Sequence, residues 1–146
     1  MTNAASKAPW HLWVVGVLAV LFNAIGVFDF TMSMTRGADY MAGAGMTAAQ
    51  IAHYLDMPGW MTAVWALGVF TALFASLLLL LRRRLAFPVF SVSLAAFLVS
   101  LLYTYVLTDG GAIMGPQMAA ASAMIAIVLL LLILYSRSMA ARLVLG

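Results

Sequence analysis

The chain has no cysteine and no glutamate, and only 8% of its 146 residues are charged. Without thiols there is no disulfide, no thiolate nucleophile and no cysteine-bound zinc or iron–sulfur centre. Aspartate is the only acid: Asp29, Asp39, Asp56 and Asp109 face seven bases, for a formal charge of +3. A soluble domain is roughly half apolar and about a quarter charged, whereas 66% of this chain is hydrophobic. No water-soluble fold of this length hides so much apolar surface. The composition therefore excludes a separate soluble catalytic module, and it makes the basic balance a matter of membrane orientation and not of nucleic-acid binding.

The apolar residues fall into four runs, predicted as transmembrane helices over about residues 10–34, 60–81, 85–107 and 116–135. Each is close to the roughly 20 residues that cross about 30 Å of hydrocarbon. Trp10, Trp13, Trp60, Tyr103, Tyr105 and Tyr135 sit near span ends, where amphipathic rings favour the headgroup zone. Lys7 ahead of the first run resembles the start of a secretory signal, but the run is too long and lacks a small-residue cleavage site. It is read as retained. The expectation is one all-α integral membrane domain over residues 1–146, a four-transmembrane-helix bundle.

Cationic loops resist translocation and stay cytoplasmic. An N-in, C-in orientation keeps Lys7, Arg82, Arg83, Arg84, Arg137 and Arg142 inside and leaves only Arg36 outside. The four aspartates then gather at the outer end. The loop between the second and third spans is little more than Arg82-Arg83-Arg84, so those spans are antiparallel neighbours. This triplet reads as a topology determinant that also meets anionic lipid. The Gly-rich stretch Thr108 to Gly115, with Pro116 opening the next helix, makes the third and fourth spans neighbours too.

The longer outer loop has room for structure of its own. After a flexible Gly43-Ala44-Gly45, the series Thr47-Ala48-Ala49-Gln50 has the spacing of a capping box. A short amphipathic helix is expected over about residues 48–56, with Ile51, Tyr54 and Leu55 on one side.

Few residues are candidates for chemistry. Asp29 lies near the outer end of the first span, where an ionised carboxylate needs a partner or water. Arg36, two turns on, is the expected counter-charge, giving an interfacial anchor; the alternative is a proton or cation site with His53, Asp56 or Asp109. Asn23, in mid-span among Gly16, Ala19 and Gly26, reads as interhelical glue. Gly68, Ala72 and Ser76 recur every four residues and form a close-packing face, toward either the bundle or a partner; Ala119 and Ala123 do the same in the fourth span. His11 and His53 are expected on opposite sides of the bilayer, so they cannot share a haem. His53 and Asp56 are expected as a solvated surface pair, half a metal site at most. No catalytic residue, cofactor or metal is expected. The eleven methionines are apolar filling.

From Met57 to Leu94 the sequence reads MPGWMTAVWALGVFTALFASLLLLLRRRLAFPVFSVSL. The Met-Pro-Gly-Trp start, the leucine run into an arginine cluster and the early proline after it resemble a family of small, uncharacterised four-helix bacterial membrane proteins, often labelled automatically as sugar transporters. The resemblance implies a bacterial inner membrane and carries no site residues with it. Two functions are expected from the residues. The first is an accessory subunit of a larger respiratory or photosynthetic membrane assembly, with lipid and other subunits as partners and no chemistry of its own. The alternative is a small oligomeric transporter or small-molecule-binding membrane protein.

Overall fold

Within hydrocarbon no water bonds the backbone, so each apolar run closes its hydrogen bonds internally as a helix. The computed structural model describes residues 6–146, which form α1 (Trp10–Arg36), α2 (Ala38–Gly43), α3 (Ala48–Leu55), α4 (Gly59–Leu80), α5 (Ala86–Leu102) and α6 (Gly110–Ala141). Among these residues there is no strand. Four helices are long and apolar enough to cross a membrane: α1, α4, α5 with its extension to Leu107, and α6. Residues 1–5, included in the single-domain reading, lie outside the described residues.

The helix ends differ from the sequence expectation where glycine intervenes. The stretch expected as a loop before Pro116 is largely helical, because Gly110–Met114 forms a turn of its own before Gly115, at φ 76, breaks the axis of α6. Pro116 follows this break, where its missing N–H costs nothing. At the other end α6 continues past Tyr135 to Ala141. Likewise the chain does not become loop after α1. Gly37 (φ 55) turns it into α2, and Gly45 (φ 86) ends that helix.

The spans pack in the order α1, α4, α5, α6. Gly68 brings α4 against α5, since a β-carbon there would already lie 3.6 Å from Ala96 Cβ and 3.9 Å from the Ser93 carbonyl. Ser93 Oγ donates to the Gly68 carbonyl at 2.8 Å. One helix turn on, Ala72 is buried, and Ser76, fully buried, donates to the Ala72 carbonyl while accepting from Asn23 Nδ2 of α1 at 2.8 Å. The Gly68-Ala72-Ser76 face is thus filled by α5 on one side and α1 on the other. Ala119 and Ala123 of α6 are exposed.

The arginine triplet has a role that topology alone does not suggest. Arg82 and Leu143, both at φ 57, reverse the chain just beyond α4 and α6. In each case the amide one residue on reaches back five positions, Arg83 N to Leu78 O (2.8 Å) and Val144 N to Met139 O (3.0 Å). Two such helix stops in non-glycine residues are strained, and the two tails then hold each other. Gly146 N donates to Arg82 O (2.7 Å), Arg84 N to Gly146 O (2.9 Å), and the Arg82 and Arg84 Nε atoms to the Val144 and Leu145 carbonyls, both at 3.0 Å. Arg82 also donates to the Ser6 carbonyl at 2.8 Å. Val144 and Leu145 are buried in the core formed with Leu12, Leu79, Phe90 and Met139.

Two measurements check this packing. A double-mutant cycle over Asn23→Leu and Ser76→Ala should give a coupling of about 1 kcal/mol, the size of interhelical hydrogen bonds in membranes, and no coupling would disprove the α1–α4 bond. Arg84→Gln should speed hydrogen exchange at the Gly146 amide about tenfold, the loss expected for one charge-assisted bond, while amides in the middle of α4 stay protected.

Candidate functional site

α4 lies between α1 and α5, and α6 packs on α5, so α1 and α6 stand as the two edges of the bundle. They meet at the arginine end, where His11 Nδ1 and the Tyr135 hydroxyl are 2.6 Å apart. Beyond that contact they diverge. On the outer surface the seam between them is an apolar groove of about 500 Å³, walled by Val15, Leu18 and Leu21 of α1 and by Val128 and Leu131 of α6. Beside it lies a half-open cavity of about 860 Å³, lined by residues of all four spans. Phe22 and Ile25 line both, so groove and cavity adjoin across the edge of α1. Protein interiors hold few voids larger than a water, and about 300–1,000 Å³ is the size of small-molecule pockets.

The cavity wall is methionine and aromatic in character. Met41, Met46, Met57, Met61, Met114 and Met118 line it together with Phe22, Tyr54, Trp65, Phe97 and Tyr103. Unbranched methionine adapts to irregular guests. Two of the four serines that line the cavity turn their hydroxyls to backbone carbonyls, Ser93 to Gly68 and Ser100 to Ala96, while Ser33 and Ser122 add polar points to a mainly apolar wall. Asn23 lies at the deep end, already bonded to Ser76. At Gly26 an added β-carbon would meet nothing closer than Val69 at 3.7 Å.

Asp29 is the one charged residue among the described residues lining this space. Its partner is not the expected Arg36. The Tyr40 hydroxyl donates to Asp29 Oδ1 at 2.9 Å, and this bond to the carboxylate raises the Tyr40 pKa. The reason is the turn at Gly37: it brings α2 back beside α1, so that Tyr40 packs edge-to-face on Phe28 with ring centroids 6.4 Å apart. Arg36, the last residue of α1, is exposed and does not line the cavity.

α3 caps this end. Thr47 and Gln50 form a reciprocal capping box, and Gln50 Nε2 also donates to the Ile113 and Met114 carbonyls, at 3.3 Å each. Tyr54 enters the cavity wall beside Trp65, with ring centroids 5.5 Å apart, and burial raises its pKa. Leu55, expected on the same side, is exposed. His53 is not the solvated residue expected. Its ring lies 5.9 Å from those of Tyr54 and Tyr103, and its Nε2 is buried without a hydrogen-bond partner. Gly110 makes room for it, since a β-carbon there would lie 2.8 Å from His53 Cε1. Desolvation lowers the His53 pKa.

The remaining polar candidates stay apart. Asp39 opens α2, Asp56 follows α3, Asp109 precedes α6 without capping it by its side chain, and all three are exposed. Among the described residues no three His or Asp side chains come together to hold a metal. Arg82 and Arg84 are bound to the Val144–Gly146 backbone, and Arg83 is exposed.

No family model, no curated protein and no solved structure matches the chain. What the cavity does is read from its own geometry. Of the residues that shape its mouth, Tyr54 lies on the expected apolar side of α3, while Tyr40 and Trp65 are not singled out by any sequence pattern. Tyr40 lies eleven residues from Asp29, and only the turn at Gly37 makes them neighbours.

The unpartnered, desolvated Nε2 of His53 has a consequence for pH. Its pKa is lowered from 6.5, so its share of α3 docking is complete above that value and is lost as the pH falls from there toward the depressed folded-state pKa. The protection factors of amides 48–55, with each exchange rate taken relative to the intrinsic rate at that pH, should therefore fall on acidification from pH 7.5 to pH 5 (round test values of about one unit or more either side of the ordinary imidazole pKa). In His53→Phe that fall should vanish.

Proposed function

We propose that the chain is a small-molecule-binding protein of the bacterial inner membrane, holding a lipophilic guest in the cavity between its four spans. The observation that carries this is the 860 Å³ cavity adjoining an apolar seam between α1 and α6. Its lining of methionine and aromatic side chains suits a guest that dissolves in the bilayer. The seam supports access from the side, through lipid, with no need for an aqueous channel.

The orientation we favour keeps Lys7, Arg82, Arg83, Arg84, Arg137 and Arg142 in the cytoplasm. The mouth near Asp29, with α3 as its amphipathic cap, then faces outward. The resemblance of Met57 to Leu94 to the small four-helix bacterial proteins supports the same membrane. We assign the chain no chemistry of its own. A role as accessory subunit has less support, because the small-residue face at Gly68, Ala72 and Ser76 makes its contacts with α5 and α1 of the same chain.

Ser122 lines the cavity from α6, so Ser122→Phe fills part of it without touching the α4 interfaces. Native mass spectrometry of protein released from bacterial membranes should show one lipophilic adduct on the wild type, lost in a Ser122→Phe protein that melts at the same temperature or higher. A wild type without an adduct, or an adduct that survives Ser122→Phe, would refute the binding role.

A further inference from the structure

We infer that the guest is a lipophilic organic cation, with its charge beside Asp29 and Tyr40 and its apolar body among the methionines and aromatic rings behind them. This rests on the cavity being a binding site.

The first ground is the sign of the charge. Asp29 is the one charged group lining the cavity among the described residues. The bases Arg82, Arg83, Arg84, Arg137 and Arg142 belong to the opposite end of the bundle, and Arg36 lies off the lining. A guest bearing a carboxylate or phosphate would find no cation here and would face a carboxylate. Such an anion is disfavoured on both counts.

The second ground is the state of that carboxylate. Its partner is a neutral donor, the Tyr40 hydroxyl at 2.9 Å, which orients Asp29 and leaves its net charge uncancelled. An arginine partner would have closed the site to cations. The third ground is the company Asp29 keeps. Phe28, Tyr40, Tyr54 and Trp65 all line the same space, and aromatic faces attract an organic cation while tolerating its hydrocarbon. A strongly hydrated metal ion would gain little from such walls. An alkyl- or aryl-substituted ammonium or phosphonium matches both the charge and the rings.

The test uses two ions of nearly one shape and opposite sign, tetraphenylphosphonium and tetraphenylborate, with triphenylmethane as a neutral probe. Each is dialysed to equilibrium against the whole protein in nanodiscs of zwitterionic phosphatidylcholine, and uptake by empty nanodiscs is subtracted. Tetraphenylphosphonium should be retained at least about tenfold more tightly than tetraphenylborate, the ratio of about 1.4 kcal/mol. Asp29→Asn should remove that preference, Asp29→Glu should keep it, and Asp109→Asn, off the cavity, should leave it unchanged. Melting curves of the variants show that each is folded. Equal retention of the two ions, tighter retention of the borate, or a preference that survives Asp29→Asn overturns the cation inference. If triphenylmethane is still retained in those cases, the cavity remains a binding site for apolar guests. If none of the three probes is retained above empty nanodiscs, the binding role and the cation inference both fall.

Discussion

The hydrogen bonds from Arg82 and Arg84 to the Val144–Gly146 backbone close one end of the bundle, and the open end follows from that closure. Two chain reversals, each through a non-glycine residue at φ 57, bring the link after α4 against the tail after α6. The strain of a left-handed non-glycine residue, about 1–2 kcal/mol, is offset by bonds between the tails and by burial of Val144 and Leu145. Because Arg82 also binds the Ser6 carbonyl and His11 meets Tyr135, α1 and α6 are drawn together here. Among the described residues no other side-chain hydrogen bond joins them farther along. The seam between them opens as a groove, and the cavity adjoins it.

A cavity in a membrane protein is easily filled by lipid, so its lining decides whether it is a site. Interior polar groups in hydrocarbon need partners, and several here find them locally: Ser91, Ser93 and Ser100 bond carbonyls of their own or the adjacent helix, and Asn23 bonds Ser76. What remains toward the space is mainly hydrocarbon, sulfur and aromatic surface, with a few hydroxyl groups and one carboxylate. The same economy explains why α3 matters. Through Gln50, Tyr54 and His53 it covers the rim from above, docked on a turn that Gly110 makes thin enough to approach.

Much of the scaffold was legible in the sequence, because the bilayer imposes it through length and composition alone. Four long apolar runs and two short connections determine which spans are neighbours, and a four-residue spacing of Gly68, Ala72 and Ser76 marks a close contact. The site was not legible, for a physical reason. A side chain facing a cavity and one facing lipid are equally apolar, so Phe22, Ile25 and Met118 carry no sign of which they meet. Whether α1 and α6 touch depends on divergence accumulated over the length of the spans, and no local pattern encodes it. The arginine triplet shows the converse gap. A charge cluster is an obvious topology signal, and two of its three guanidinium groups are also engaged by a backbone some sixty residues away, which no local pattern shows.

Asp29 shows how one local turn changes the chemistry of the whole site. Read along a single helix, Arg36 falls on the same face two turns on, and the pair would be a neutral anchor. Gly37, at φ 55, instead ends α1 directly after Arg36 and folds α2 back on it. The side chain delivered to the carboxylate is then Tyr40, a donor whose own ionisation that carboxylate opposes. A neutral donor brings no positive charge to set against Asp29. The net negative charge therefore stays at the rim of an otherwise apolar cavity, available to a guest. A substitution of Gly37 by any residue that resists φ 55 works against this arrangement from outside the cavity, since Gly37 is not among its lining residues.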